Sequence, residues 1–199
     1  MEKVQFNISN VHYAKMTPAE TPSAAPTYAA PIHVPGAVNL SLDQSGDVEE
    51  FYADGIRYYV SQTNNGYSGD LEMALFPQQM LVDIWNFVLE ATDKVLLEYS
   101  TGEPAAFALL FQIDNDETNS RFCLYNCKGT KPGISSTTNT TTKTPQTQTS
   151  TITASPREDN HLIAARTTSS TSAQIKAAWF DAVYSPPAAE DDPEGAEEG

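Results

Sequence analysis

The spacing of apolar and polar residues predicts a chain made mostly of short strands. Val4, Phe6 and Ile8 alternate with Lys3, Gln5 and Asn7, which predicts a half-buried strand over Lys3–Val11. Residues 16–35 break the pattern. Their five prolines, at 18, 22, 26, 31 and 35, remove ladder donors and fix φ, so the segment reads as an extended loop, neither helix nor central strand. Strand character returns at Ala37, Val38, Leu40 and Leu42, and again over Phe51–Gln62, where Asp54-Gly55 marks a turn or bulge. Asn64-Asn65-Gly66 is a hairpin signal, and Tyr67–Phe76, with Leu71, Met73 and Leu75 alternating, reads as the partner strand.

Pro77 suits the first turn of a helix, and Met80, Leu81, Ile84, Trp85 and Val88 recur at helical spacing over about three turns. Lys94–Tyr99, Ala105–Ile113 and Arg121–Cys127 read as three strands of an antiparallel meander. Ile134–Ser155 holds ten Thr and four Ser, which by composition alone is a low-complexity linker. Thr147, Thr149, Thr151 and Thr153 nevertheless recur at the strand period, so the segment divides into a loop over 134–144 and a strand reaching Ala154. His161–Thr167 is expected to return and pair with that strand. Ser172 is placed to cap a short second helix with Ile175, Ala178, Trp179 and Ala182 or Val183 on one side. The pattern therefore predicts a mainly β (α+β) domain over residues 1–186 and an acidic tail over 187–199.

Composition narrows the function. Twenty-six acidic residues against eleven basic give a net charge of −15, which repels phosphate backbones and argues against a module that holds nucleic acid. The tail from Pro187 carries six acidic and no basic side chains, as expected of a solvated segment. No apolar run reaches the roughly 18 residues that span a bilayer, and the opening MEKVQFNISN has no apolar leader core, so a soluble, intracellular start is expected. Cys123 and Cys127, four apart on one predicted strand, share a face too far apart to bond and read as small buried apolar groups. Trp85 and Trp179 read as core residues.

Candidate chemistry is sparse. No nucleophile motif, phosphate loop or metal-ligand spacing occurs, so no catalytic residue, cofactor or metal is expected. Asp114, Asp116 and Glu117 lack the glycine and distal Glu of a calcium loop and read as a solvated turn, and Glu49-Glu50 reads as surface charge. Asn7-Ile-Ser9 and Asn139-Thr-Thr141 match glycosylation acceptors, which carry no weight without a secretory leader.

The ordered segments resemble the major tail proteins, or tail-tube proteins, of long-tailed, non-contractile bacteriophages and prophages. The resemblance lies in Pro35-Gly-Ala-Val-Asn-Leu-Ser-Leu42, in the block from Phe51-Tyr-Ala-Asp-Gly55 through Tyr58-Tyr59 to Asn64–Ala74, and in Phe107–Phe111, Leu124–Cys127, the Gln146-Thr-x-Thr strand before Pro156-Arg157, and Trp179-Phe180. It covers about residues 1–186 and departs at the Pro/Ala-rich loop, the Thr-rich loop and the tail.

The resemblance implies an antiparallel β-sandwich or barrel-like tail-tube fold with one flanking helix and a short C-terminal helix. It also implies hexameric rings stacked into a virion tail tube from subunits held in the host cytoplasm. Implied partners are further copies of the chain, the tape measure, and the tail tip and tail terminator proteins. DNA would slide through without specific binding, and no membrane is involved.

Within that picture Asp114, Asp116, Glu117, Asp70 and Glu72 are candidates for an acidic channel lining. Pro18, Pro22, Pro26, Tyr28 and Pro31 are candidate subunit contacts, in a loop expected to be disordered alone and to order on assembly. The competing expectation is a β-sandwich module that binds carbohydrate or a surface. It needs an exposed aromatic platform, and its candidates Tyr58, Tyr59 and Tyr67 all fall inside predicted strands.

Overall fold

The computed structural model describes residues 4–115, 119–138 and 144–187. Asp116, Glu117, part of the Thr-rich loop and nearly all of the acidic tail lie outside them. In chain order the elements are β1 (Gln5–Thr17), β2 (Thr27–Tyr28), β3 (Ile32–His33), β4 (Ala37–Ser45), β5 (Val48–Ala53), β6 (Ile56–Gln62) and β7 (Gly66–Met73). Then come α1 (Gln78–Trp85), β8 (Val88–Leu89), β9 (Leu96–Leu97), β10 (Phe107–Asn115), β11 (Ser120–Gly129), β12 (Gln148–Ser155), β13 (Ala164–Arg166) and α2 (Ala173–Ala178). The fold is mainly β and antiparallel with two helices, a sandwich-like α+β arrangement.

One sheet organises the chain, in the order β2-β1-β10-β11-β12-β7-β4. Its ends curl toward each other, so that β1 and β4 pass close, which gives a barrel-like body. The inner face holds the larger core: Tyr13, Leu71, Met73, Phe107, Leu109 and Ile152, closed by Met80, Ile84 and Trp85 of α1. The outer face carries a smaller core of Ala14, Ala108, Leu110, Cys123, Tyr125 and Trp179. β10 explains both. Its run FALLFQ is buried on the two faces at once, so it shows no alternation. β12 shows the opposite case, with Ser150, Ile152 and Ala154 buried while Thr149, Thr151 and Thr153 are exposed.

Several expectations change. β6 does not pair with β7. It pairs with β5 in a separate two-stranded sheet turned by Asp54 (φ 53°) and Gly55 (φ 76°), while β7 pairs with β4 and β12. The Asn64-Asn65-Gly66 signal therefore marks the point where the chain re-enters the main sheet. β7 ends at Met73, which leaves Leu75 exposed.

α1 spans eight residues, because Asn86 in the left-handed region (φ 55°) ends it and Val88 enters β8. Pro77 sits at the N-cap. The meander is partial: β10 pairs with β11, but β9 pairs with β8. β13 pairs with β11, so the segment after Arg157 does not return to β12. Ser172 does cap α2, accepting from Ile175 N at 3.3 Å, but of the expected apolar side only Trp179 is fully buried.

The cysteines are free and buried, as expected of small apolar groups, but not on one face. Between Phe107↔Cys127 and Leu109↔Leu124 β11 carries a bulge. One extra residue flips the parity of the strand, so Cys123 joins the outer core and Cys127 the inner one. Burial pushes both thiols up, that of Cys127 to about 12, so neither is poised as a thiolate.

The proline-rich segment is not a free loop. β2 and β3 run back along β1. Val34 is buried in the inner core, and Tyr28 Oη donates to the Tyr125 carbonyl at 3.1 Å. The prolines confine it to the edge of the sheet, where missing donors cost nothing.

Beside β3, His12 stacks on Phe180 (4.6 Å between ring centres), lies 4.9 Å from His33, and donates from Nδ1 to the Asn10 carbonyl at 2.8 Å. Arg121 lies over the other ring of the stack, Phe180, at 5.5 Å. Burial holds the His12 imidazole below its ordinary pKa; the Asn10 bond opposes this and His33 adds to it. The unfolded chain then takes up a proton near 6.5 that the folded chain refuses. This stability is present above 6.5 and is lost as the pH falls toward the depressed folded value. A chemical-denaturation series from pH 7.5 to 5 should show stability falling, and His12→Gln should flatten that slope; an unchanged slope would remove His12 as its source.

A candidate assembly surface

The β5–β6 hairpin stands apart from both cores. Its six-residue first strand projects about 20 Å at 3.3 Å per residue. Tyr58 is 71% exposed, Ile56 64%, Tyr59 62% and Phe51 58%. Single exposed apolar residues are ordinary, but a contiguous aromatic patch marks a surface that another molecule covers. An isolated two-stranded hairpin is also marginally stable in water.

Register divides its side chains into two faces. Phe51↔Tyr59, Ala53↔Ile56 and Glu49↔Ser61 share one, which is largely apolar. Glu50↔Val60 and Tyr52↔Arg57 share the other, where Glu50 accepts from Tyr52 Oη at 2.6 Å and from Arg57 Nη1 at 2.9 Å. Those two bonds, Tyr52 first, lower the Glu50 carboxyl below its usual range. The charged and hydroxyl groups of the second face, which also carries Val48 and Val60, thus satisfy one another, and no described residue covers the first face.

The joint to the body is hydrogen-bonded from strand to strand. Asn65 N donates to Ser45 O at 2.8 Å, Thr63 N to Asp47 O at 3.0 Å, and Asp47 N to Thr63 Oγ1 at 3.0 Å. Gly46 is required there, since a Cβ would lie 2.0 Å from the Thr63 carbonyl oxygen. The ribbon therefore continues the β4–β7 ladder outward.

Of the acidic candidates, Asp70 and Glu72 lie on one outer sheet face. Asp70 accepts from Thr151 Oγ1 at 2.8 Å, and Glu72 accepts from Thr147 Oγ1. Asn39, Ser41 and Asp43 of β4 flank them in register, as do Thr149 and Thr153 of β12, with Lys128 opposite Thr153. Asp114 does not join this group. It lies on β10, with β11 and β12 between, and by register at the Ser120 end of β11, whereas Asp70 aligns beyond the Gly129 end. There it accepts from Gln112 Nε2 at 2.9 Å and Asn7 Nδ2 at 3.4 Å.

Among the proposed contact residues, Pro18, Pro22 and Pro26 line a cavity of about 540 Å³ with Lys15, Lys128 and the Arg157–Asp159 pair. Arg157 grips both oxygens of Asp159, Nε to Oδ1 at 2.8 Å, which lowers that carboxyl. Tyr28 and Pro31 are half-buried against the body.

The strand assignment conceals the exposure of Tyr58 and Tyr59: both are exposed, and only Tyr67 is half-buried. No group of three or more His, Cys, Asp or Glu able to hold a metal occurs among the described residues. No family model matches this chain, and no curated protein matches it.

Proposed function

We propose that this chain is a structural subunit that assembles with copies of itself, and specifically a tail-tube protein of a long-tailed phage. Rings of the subunit would stack into a tube around a tape measure, between the tail tip and terminator proteins, and later conduct DNA. The observation that carries self-assembly is the β5–β6 hairpin, hydrogen-bonded at its root, whose apolar face no described residue covers. Heterologous contacts through such an arm close rings or extend filaments. The tail-tube assignment rests on the sequence resemblance across residues 51–74 and on the sandwich-like fold. Negative-stain microscopy and native mass spectrometry of concentrated protein should give rings or tubes with a central channel. A strict monomer at all concentrations, even with tail-tip seeds, overturns the reading.

The acidic outer face supports a channel role. Carboxylates at Asp70 and Glu72 would hold phosphates off the wall within a Debye length of about 8 Å at physiological salt. Asp70→Lys with Glu72→Lys should leave tubes assembled but slow DNA ejection, with the defect easing at high salt. A defect indifferent to salt means altered packing.

One observation favours a second reading. Tyr58, Tyr59 and Tyr52 are exposed, as a carbohydrate-stacking platform requires. A monomer retained on polysaccharide and released by Tyr59→Ala would establish it.

A further inference from the structure

The proline-rich segment closes over the cavity of about 540 Å³, within the range of roughly 300–1,000 Å³ that takes a drug-sized ligand. Its apolar wall is made of prolines and alanines, among them Pro18, Pro22, Ala24, Pro104 and Ala106, and no aromatic ring lines it. Three of the chain's eleven basic residues, Lys15, Lys128 and Arg157, also line it, a local excess in a chain of net charge −15. Arg157 is neutralised by Asp159, whose two carboxylate oxygens both accept from it. Lys15 and Lys128 are exposed and make no ion pair among the described residues, and the wall sets only Glu158 against them. An occupant must therefore bring several carboxylates on a slender backbone with small side chains.

We propose that this cavity is the binding site of the chain's own acidic tail, residues 188–199, which lie outside the described residues. The tail sequence AAEDDPEGAEEG has that composition: six carboxylates, no basic residue, and otherwise only Ala, Gly and Pro. The described chain also ends beside the cavity. The Tyr184 carbonyl accepts from Tyr125 Oη at 2.8 Å, and Arg157 of the cavity wall lies over the Tyr125 ring at 5.7 Å. From Tyr184 to Asp192 is eight residues, which extended span up to about 26–29 Å, enough to bring Glu190-Asp191-Asp192 across a cavity of this volume. Tethering favours this segment over any free anion, because a short linker holds its end at an effective concentration on the order of mM. Each exposed ion pair contributes only about 0.2–1 kcal/mol, so the tail is held by several at once and salt releases it. A docked tail shields Pro18, Pro22 and Pro26, so a partner approaching by that loop must displace it. None of this requires self-assembly.

The test is zero-length cross-linking of the full chain with a water-soluble carbodiimide. The reagent activates a carboxylate, a touching lysine amine displaces it to form an amide, and the lost oxygen leaves with the reagent as its urea. Isotope-labelled and unlabelled chains are mixed at high dilution, so that peptide mass mapping tells bonds within one chain from bonds between two. Amides from residues 190–198 to Lys15 and Lys128 of the same chain are expected at least about tenfold above those to Lys94 and Lys176, and should fall several-fold in 1 M salt, where the Debye length is about 3 Å. Backbone amide NMR shifts of the full chain against its Glu190→Gln/Asp191→Asn/Asp192→Asn variant give a readout without the reagent, and the changes should fall on residues 15–26, 126–128 and 157–159. Amides spread evenly over the four lysines, none to Lys15 and Lys128, or shift changes confined to the tail overturn the proposal. Amides found only between labelled and unlabelled chains put a second copy's tail in the cavity and overturn it as well.

Discussion

Trp85→Ala is expected to destabilise the chain by about 3–5 kcal/mol, the cost of emptying a large aromatic site in a core. Trp85 is fully buried, meets Phe76 edge to face at 5.3 Å between ring centres, and donates from Nε1 to the Gly129 carbonyl at 3.0 Å. It is the piece of α1 that locks the helix to the far end of β11, so its loss opens the inner core at one end and strands a buried acceptor. At about 2–4 °C per kcal/mol for a chain of this size, the midpoint should fall by roughly 6–20 °C. Trp85→Phe keeps most of the volume and loses only the indole donor, so its loss should be nearer 1–3 kcal/mol. Thermal melts of the two variants separate packing from hydrogen bonding. Equal losses would mean that the Gly129 bond, not the ring, holds the helix down.

Strand identity was legible where one residue pattern had one physical cause. The Thr-rich strand is the clearest case. Its period of two survives a composition that otherwise reads as linker, because Ser150, Ile152 and Ala154 must face the core while the threonines face water. Pairing was less legible, because partner choice is not local. Asn64-Asn65-Gly66 reads as a reversal, but the chain runs on through it from β6 into β7; the reversal lies at Asp54-Gly55, and β7 pairs with β4 across that inserted hairpin.

Parity failed at the Tyr125-Asn126 bulge, where one residue without a distinctive side chain sends Cys123 and Cys127 to opposite cores. Val88 fits the helical period of α1 but lies beyond Asn86, whose left-handed backbone ends the helix first. The exposure of the hairpin was hidden because an aromatic strand is ordinarily a buried one. Its signal was present in FYADGIRYYV: apolar and aromatic residues crowd both sides of an Asp-Gly turn without strict alternation, as expected of a ribbon with no sheet beneath it. Asp70 and Glu72 were legible as a pair through period two. Their distance from Asp114 was not, since it depends on two strands that come later in the chain.

Phe51→Thr combined with Tyr59→Thr, which keeps a strand-forming cross-strand pair, is expected to abolish assembly while leaving the fold intact. Both side chains are more than half exposed in the single chain, so their replacement should move its stability by no more than about 0.5 kcal/mol. At an interface the same two rings are the residue types that dominate binding. A loss of about 2 kcal/mol at each is roughly thirtyfold in association per contact, compounded around a ring in which every copy carries the change. Arg57→Ala supplies the contrast. Arg57 lies on the opposite face, tied to Glu50 in an exposed pair of the kind that contributes little, so assembly should be nearly unchanged. Sedimentation velocity across a concentration series, with melting curves for each variant, distinguishes the two faces. Loss of assembly by the apolar-face variant alone assigns the contact to Phe51 and Tyr59. Equal loss by both variants would mean that the whole ribbon must simply be present, and assembly unaffected by either would place the subunit contact elsewhere on the body.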